Sequence, residues 1–238
     1  MTIQFPQDAA PFIATSRQIL RSYGIEVTIG GDFDEYAEII RQERSFQGLG
    51  LPFDPKAFPL PTEESFWLIG RNSEGALIHT QAAKRVHMSG KNLAGYMLKN
   101  FRDFPPPLPG VDLDRSRFRA TPGSHHIFGH VVYHGEVWMA PEEGHYRGTG
   151  LSTVLARTGL LEIMRRWNPD FIFGLMARQV AFKGFAERMG YFHNEPGVVN
   201  WEVEGFDKPL EGFLTWLTEE DAKFLLDIPV ENLVTLAA

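Results

Sequence analysis

One heptapeptide constrains this chain more than any other stretch: Tyr146-Arg147-Gly148-Thr149-Gly150-Leu151-Ser152. Upstream, Ile127 to Met139 is a β-rich run centred on Val131-Val132-Tyr133, and Pro141 to Gly150 reads as the turn that follows it. Downstream, Leu151, Val154, Leu155, Thr158, Leu161 and Met164 recur at the spacing of one helical face, up to Trp167-Asn168-Pro169. Glycines in a strand-to-helix turn let successive backbone N–H groups converge on one point. The helix start adds donors without internal partners and a partial positive charge. Such a corner suits a phosphate or pyrophosphate, with Arg147 as a charge-assisted partner. A tight turn with no ligand is the competing reading.

Two common phosphate loops do not fit. No lysine precedes Ser152, so the Gly-Lys-Ser/Thr pattern fails. The third glycine of the dinucleotide fingerprint is replaced by Thr153. Composition removes other classes. A formal charge of −7 argues against a nucleic-acid binder or an anionic-membrane binder, which need a basic face. The chain has no cysteine, which excludes disulfides, thiolate metal sites and a cysteine nucleophile. Met1 to Ala14 has no basic region followed by an apolar stretch, and no run reaches the roughly 18 apolar residues of a membrane span. A cytoplasmic protein is therefore the expectation.

The rest of the chain reads as mixed α/β within a single domain spanning 1–238. An N-terminal helix is predicted at 10–23, a strand at Ile25 to Ile29, and a helix capped by Asp32 that buries Phe33, Tyr36, Ile39 and Ile40. Arg41, Glu43 and Arg44 are assigned to its solvated face. Strands follow at Ser65 to Gly70 and Ala76 to His87, then a helix over Lys91 to Phe104. The Pro-rich, Arg-bearing stretch Pro105 to Gly123 marks residues 89–124 as an insertion or lid. Asp170 to Leu175 is a nearly all-apolar strand, as in a buried sheet centre. Val180 to Met189 reads as a helix closed by Gly190, Val198 to Val203 and Gly212 to Leu217 as a strand pair, and 218–226 as a capped terminal helix.

The passage Gly135 to Tyr191, about a quarter of the chain, resembles the GNAT superfamily of acyl-coenzyme A-dependent N-acetyltransferases. Arg147-Gly148-Thr149-Gly150-Leu151-Ser152 matches the family's Arg/Gln-x-x-Gly-x-Gly/Ala turn, with serine at the last small position. Val137-Trp138-Met139-Ala140-Pro141 matches the preceding Val-x-Pro strand end, and Glu142 to Tyr146 lengthens the connection by about three residues. Phe171 to Leu175 and Phe185-Ala186-Glu187-Arg188-Met189-Gly190-Tyr191 resemble the next strand and its helix ending in Gly-aromatic.

The resemblance implies a three-layer α/β/α fold with a mixed, mostly antiparallel sheet. It implies that acetyl-CoA or another acyl-CoA is the acyl donor, that a small-molecule or peptide amine is the acceptor, and that no metal takes part. The main chain of Val137, Trp138 and Met139 is expected to pair with pantetheine. The amides of Arg147, Gly148, Thr149, Gly150, Leu151 and Ser152 are expected to hold the pyrophosphate, and Gln179 takes the place of the family's asparagine near pantetheine. The family's usual catalytic tyrosine falls at Ala186, which cannot act as an acid. Tyr191 and Tyr146 are the substitutes to consider.

Direct acyl transfer needs a neutral amine beside the thioester. A lysine-like amine of pKa about 10.4 is mostly protonated at neutral pH, so a base matters for alkyl amines and less for arylamines. Glu136 and His134, just before the pantetheine-pairing segment, are the candidate bases. In one continuous strand they share a face with His126 and His130. Strand residues four apart lie about 13 Å apart, too far to share an ion. His134-Gly135-Glu136 mimics a deaminase His-x-Glu, but the chain lacks the cysteines of that zinc set. Arg115, Arg117 and Arg119 belong to a solvated loop, with a phosphate or acidic acceptor as the alternative. Rival functions are a non-catalytic acyl-CoA sensor, an acyl-carrier-dependent signal synthase on the same fold, and a partner-binding domain. A homodimer is left open.

Overall fold

The computed structural model describes residues 9–140 and 149–235. In chain order the elements are α1 (Ala9–Ser22), β1 (Glu26–Gly30), α2 (Phe33–Glu43), β2 (Ser65–Arg71), β3 (Leu77–Val86), α3 (Leu93–Asn100), β4 (Val111–Phe118), α4 (Pro122–His126) and β5 (Val131–Met139). After the turn come α5 (Leu151–Trp167), β6 (Phe171–Ala177), α6 (Arg178–Ala181), α7 (Phe185–Met189), β7 (His193–Val203), β8 (Leu210–Thr218), α8 (Glu219–Asp227) and α9 (Val230–Thr235). The strands form one sheet in the order β1-β2-β3-β5-β6-β8-β7-β4. Every neighbouring pair is antiparallel except β5 and β6, which the long crossover through α5 makes parallel. This is the mixed, mostly antiparallel sheet that the sequence led us to expect.

Strand alternation feeds two cores. Trp67, Tyr133 and Phe173 point to one face, where they meet Tyr36 of α2, Met97 of α3 and the rings of Phe53 and Phe104. Phe66, Val132 and Ile172 point to the other, against Ala156, Leu160 and Met164 of α5 and Ala222 and Leu225 of α8. Helices therefore cover both faces. Local capping sets several helix starts: Asp32 accepts from the amides of Asp34 and Glu35, and Thr218 and Asp221 form a reciprocal box at α8.

Three departures from the sequence reading matter for the site. First, residues 111–118, inside the segment expected to be an insertion or lid, form the edge strand β4 paired with β7. Second, β5 begins only at Val131. His126 ends the short helix α4, and the chain turns through Gly129 at φ +82°, so His126 and His130 do not share a strand face with His134. Third, the helix expected over Val180 to Met189 is two short pieces, α6 and α7, broken at Gly184 with φ +68°. No helix among the described residues is long and apolar enough to cross a membrane.

Candidate functional site

The sheet comes apart in its middle. β5 and β6 pair only at Val131 with Phe171, Val132 with Ile172 and Tyr133 with Phe173. From there β5 continues along β3 to Met139 while β6 continues along β8 to Ala177. The edge of β5 from His134 onward has no strand beside it among the described residues. A cleft of about 250 Å³ fills the gap, with Gly135, Glu136 and Val137 on one wall and Leu175, Met176 and Ala177 on the other. An open strand edge is a ready partner for an extended ligand.

A bulge bends β5 at this point. Thr80 pairs with Trp138 and Ala82 with Gly135, so Gln81 alone faces both Glu136 and Val137. Glu136 sits at φ +57°, a left-handed conformation that costs a non-glycine residue roughly 1 to 2 kcal/mol. Its surroundings hold it there. The carbonyl oxygen of Glu136 accepts from Thr80 Oγ1 at 2.7 Å, Oε1 accepts from the Gly50 amide at 2.8 Å, and Oε2 is ion-paired with the Arg44 guanidinium. Arg44 also donates to Thr80 Oγ1 at 3.0 Å and to the carbonyls of Gln47 and Gly48. Its side chain is 1% exposed. Arg44, read from sequence as a solvated residue, is thus a buried clamp. Tertiary packing overrides its place at the end of an amphipathic helix. Both oxygens of Glu136, a candidate base, are already engaged.

His134 and Tyr191 do meet. Tyr191 follows α7, lines the cleft, and its hydroxyl lies 2.9 Å from His134 Nδ1. His134 Nε2 lies 2.9 Å from Gln81 Oε1. Gln81 Nε2 is 2.8 Å from the Leu155 carbonyl of α5, which can only accept, and this pins the amide with its nitrogen toward α5. Its oxygen therefore faces His134, which must carry its proton on Nε2, and Nδ1 is left to accept from the Tyr191 hydroxyl. Gln81 Nε2 also reaches His79 Nε2 at 3.1 Å. All four side chains are buried.

Burial pushes His134 down to about 4, and burial together with the nearby His134 pushes His79 down to about 3. Both rings are neutral at neutral pH. Burial raises Tyr191 above the ordinary phenol range, with Tyr133 adding to the rise and Thr215 opposing it. Gly174 marks the fork itself: a Cβ there would stand 3.0 Å from the His134 carbonyl and 3.1 Å from the Tyr191 hydroxyl.

The helix start expected to bind phosphate lies beyond the end of β5. Gly150 caps α5 at φ +77°, and Leu151 and Val154 pack with Met139, Ala140 and Ile78. Among the described residues the Leu151 amide lies 3.4 Å from Thr149 Oγ1, and the first carbonyl-bound amides are those of Thr153 and Val154, both on Gly150. Among the described residues, no carbonyl takes the amides of Gly150, Leu151 or Ser152. Arg147, Gly148 and Tyr146 lie outside the described residues. Val137, Trp138 and Met139 are partly buried along the free strand edge, and Trp138 rests against Phe46 with ring centroids 5.8 Å apart. Gln179 is exposed on α6, one residue from Val180 in the cleft wall. Ala186 is 1% exposed in the α5-side core. No group of three or more metal-ligating side chains forms among the described residues.

Sequence reasoning missed Gln81, Arg44 and Gly174. The one signal for Gln81 was the polar triplet His79-Thr80-Gln81 between the apolar pairs Leu77-Ile78 and Ala82-Ala83. Buried polar groups need partners, so that triplet implied a network. Nothing local marked Arg44 or Gly174.

No protein-family model matches the chain, and no curated protein matches it in sequence. Solved structures do. An N-acetyltransferase from Staphylococcus aureus matches at 10% identity and a TM-score of 0.44, covering 82% of this chain and 98% of its own. The yncA protein of Salmonella typhimurium, solved with its cofactor acetyl-CoA, matches at 11% identity and a TM-score of 0.42, covering 82% and 94%. A dodecameric spermidine N-acetyltransferase from Vibrio cholerae matches at 9% identity and a TM-score of 0.45, covering 83% and 95%.

Proposed function

We propose that this chain is a GNAT-type N-acyltransferase that moves an acetyl or short acyl group from acyl-CoA to an amine by direct attack. The observation that carries this reading is the fork between β5 and β6. It offers an open strand edge, places a hydrogen-bonded Tyr191–His134 pair at its base, and runs toward a helix start where, among the described residues, no carbonyl takes the amides of Gly150, Leu151 or Ser152.

In this reading pantetheine lies along Val137, Trp138 and Met139 as an added strand. The backbone amides from Arg147 to Ser152 hold the pyrophosphate. Gln179 lies near pantetheine at the cleft rim. The amine nitrogen attacks the thioester carbon, the C–S bond breaks, and the coenzyme leaves as thiolate. Tyr191 takes the proton lost by the amine while passing its own to His134 Nδ1, so the pair acts as one relay. Glu136, both oxygens occupied, shapes the bulge that keeps β5 away from β6.

A non-catalytic acyl-CoA sensor is the second reading, favoured by alanine at position 186. One experiment separates them. Acetyl-CoA is titrated by thermal shift, and free thiol is then followed with amines added. The enzyme binds and releases thiol steadily in proportion to amine; the sensor binds and releases none. No shift with any acyl-CoA would sink both.

A further inference from the structure

The cleft passes through the sheet, and its two ends differ. The end on the α5 side holds His134, Met189 and Tyr191. The opposite end is walled by Phe53, Phe104, Tyr133, Val199, Trp201 and the proline run 105–107. Its rings are held by one another: Phe53 stacks on Tyr133 at 5.5 Å and 19°, and Phe104 meets Tyr133 edge-on at 4.9 Å. Among the described residues the carboxylates that line the cleft are Glu136 and Glu211. Glu136 is ion-paired with Arg44, and Glu211 with Arg178 at 2.8 Å. Behind the wall Lys84, its Nζ 4.6 Å from the Phe58 ring centroid and 5.8 Å from that of Phe104, is balanced by the nearby Asp103 carboxylate.

We infer that the acceptor is an amine carried on an aromatic body with no further positive charge, an arylamine or an arylalkylamine, and not a polyamine. The inference rests on the acyltransferase reading above. A polycation needs free carboxylates along its length, and here each one in the described lining already has a cationic partner. Flat rings suit the walls, because aromatic pairs favour stacked and edge-on contacts with fixed side chains. The neutral His134 favours the arylamine member of this class. A relay of low proton affinity collects a proton most easily from a weakly basic nitrogen.

The test uses the full chain with acetyl-CoA, thiol release as the readout, and three acceptors: 4-methoxyaniline, 2-phenylethylamine and spermidine. At least one ring amine should exceed spermidine in kcat/KM by about tenfold or more, the equivalent of one good contact. A higher value for 4-methoxyaniline identifies arylamines as the source, and a higher value for 2-phenylethylamine identifies arylalkylamines. Spermidine turned over as well as the ring amines overturns the inference and leaves the acyltransferase reading standing. Acetyl-CoA binding without thiol release to any of the three also overturns it. A chain that does not bind acetyl-CoA overturns the function and this inference together.

Arg178→Ala gives a second arm. Its side chain is 58% exposed, so the variant should fold, and it frees the Glu211 carboxylate at the cleft. The spermidine-to-ring-amine ratio should rise by about threefold to tenfold, in line with one partly exposed charge. An unchanged ratio counts against the inference.

Discussion

Gly159 of α5 lies directly over Gln81 of β3: a Cβ on Gly159 would stand 2.0 Å from the Gln81 amide oxygen. Helix and strand approach this closely only because the side chain is missing. Alanine gains about 1 kcal/mol over glycine in a helix interior, which favours Gly159→Ala on propensity alone. The clash with a fixed, fully buried amide should outweigh that gain and cost about 1 to 3 kcal/mol net. Gln81 would also lose its grip on His134. Urea unfolding and thiol-release kinetics check both effects. A variant more stable than the parent, with an unaltered pH–rate profile, would show that Gln81 does not position the histidine.

Tyr191→Phe keeps the ring and removes the hydroxyl that reaches His134. If the pair relays the amine proton, kcat should fall by about 10²- to 10³-fold while acetyl-CoA binding is retained. Stability should fall by about 1 to 3 kcal/mol, because His134 Nδ1 is left buried without its donor. Parallel loss of binding and turnover would assign Tyr191 to the architecture of the cleft alone.

His134 and His79 predict the response to acid. Their folded values of about 4 and about 3 lie below the ordinary 6.5, so between those limits the unfolded chain binds more protons than the folded one. Stability is then full above about 6.5 and is lost as pH falls toward 4, at about 1.4 kcal/mol per unit for each histidine. Melting temperature against pH measures the slope. His134→Gln should roughly halve it, and an unchanged slope would place the acid sensitivity elsewhere.

The Arg44–Glu136 pair is buried on both sides. Glu136→Ala leaves a guanidinium without its counter-ion and should cost about 3 to 5 kcal/mol. Arg44→Met alone should be damaging for the converse reason. The double variant should lose clearly less than the sum, as coupled buried charges do. Additivity within about 0.5 kcal/mol would mean the two charges are not coupled.

Gly150 has φ +77° at the start of α5. Acetyl-CoA at 100 times its dissociation constant should stabilise the chain by about 2.7 kcal/mol. Gly150→Glu, which puts a carboxylate beside the amides of the helix start, should abolish that shift. Gly150→Asn, able to adopt the left-handed conformation, should keep most of it. A full shift in the glutamate variant removes the pyrophosphate from this turn.

Sequence alone determined what is local. Apolar periodicity fixed α5 and the central strand β6, the Asp32 and Thr218 caps fixed two helix starts, and the paired glycines marked the turn before α5. It misjudged β4, whose apolar residues Val111, Leu113 and Phe118 fall out of step across a register shift, with prolines before the strand and three arginines within and beyond it. The tertiary structure alone decided where strand pairing stops. No pattern within β5 or β6 says that they part after Tyr133 and Phe173. That follows from competition: β3 and β8 keep pairing with them while the bulge at Glu136, clamped by Arg44 from 92 positions away in the chain, bends β5 aside. The Tyr191–His134–Gln81 chain is of the same kind, since its members come from three separate strands and loops and only packing brings their polar atoms within hydrogen-bond reach.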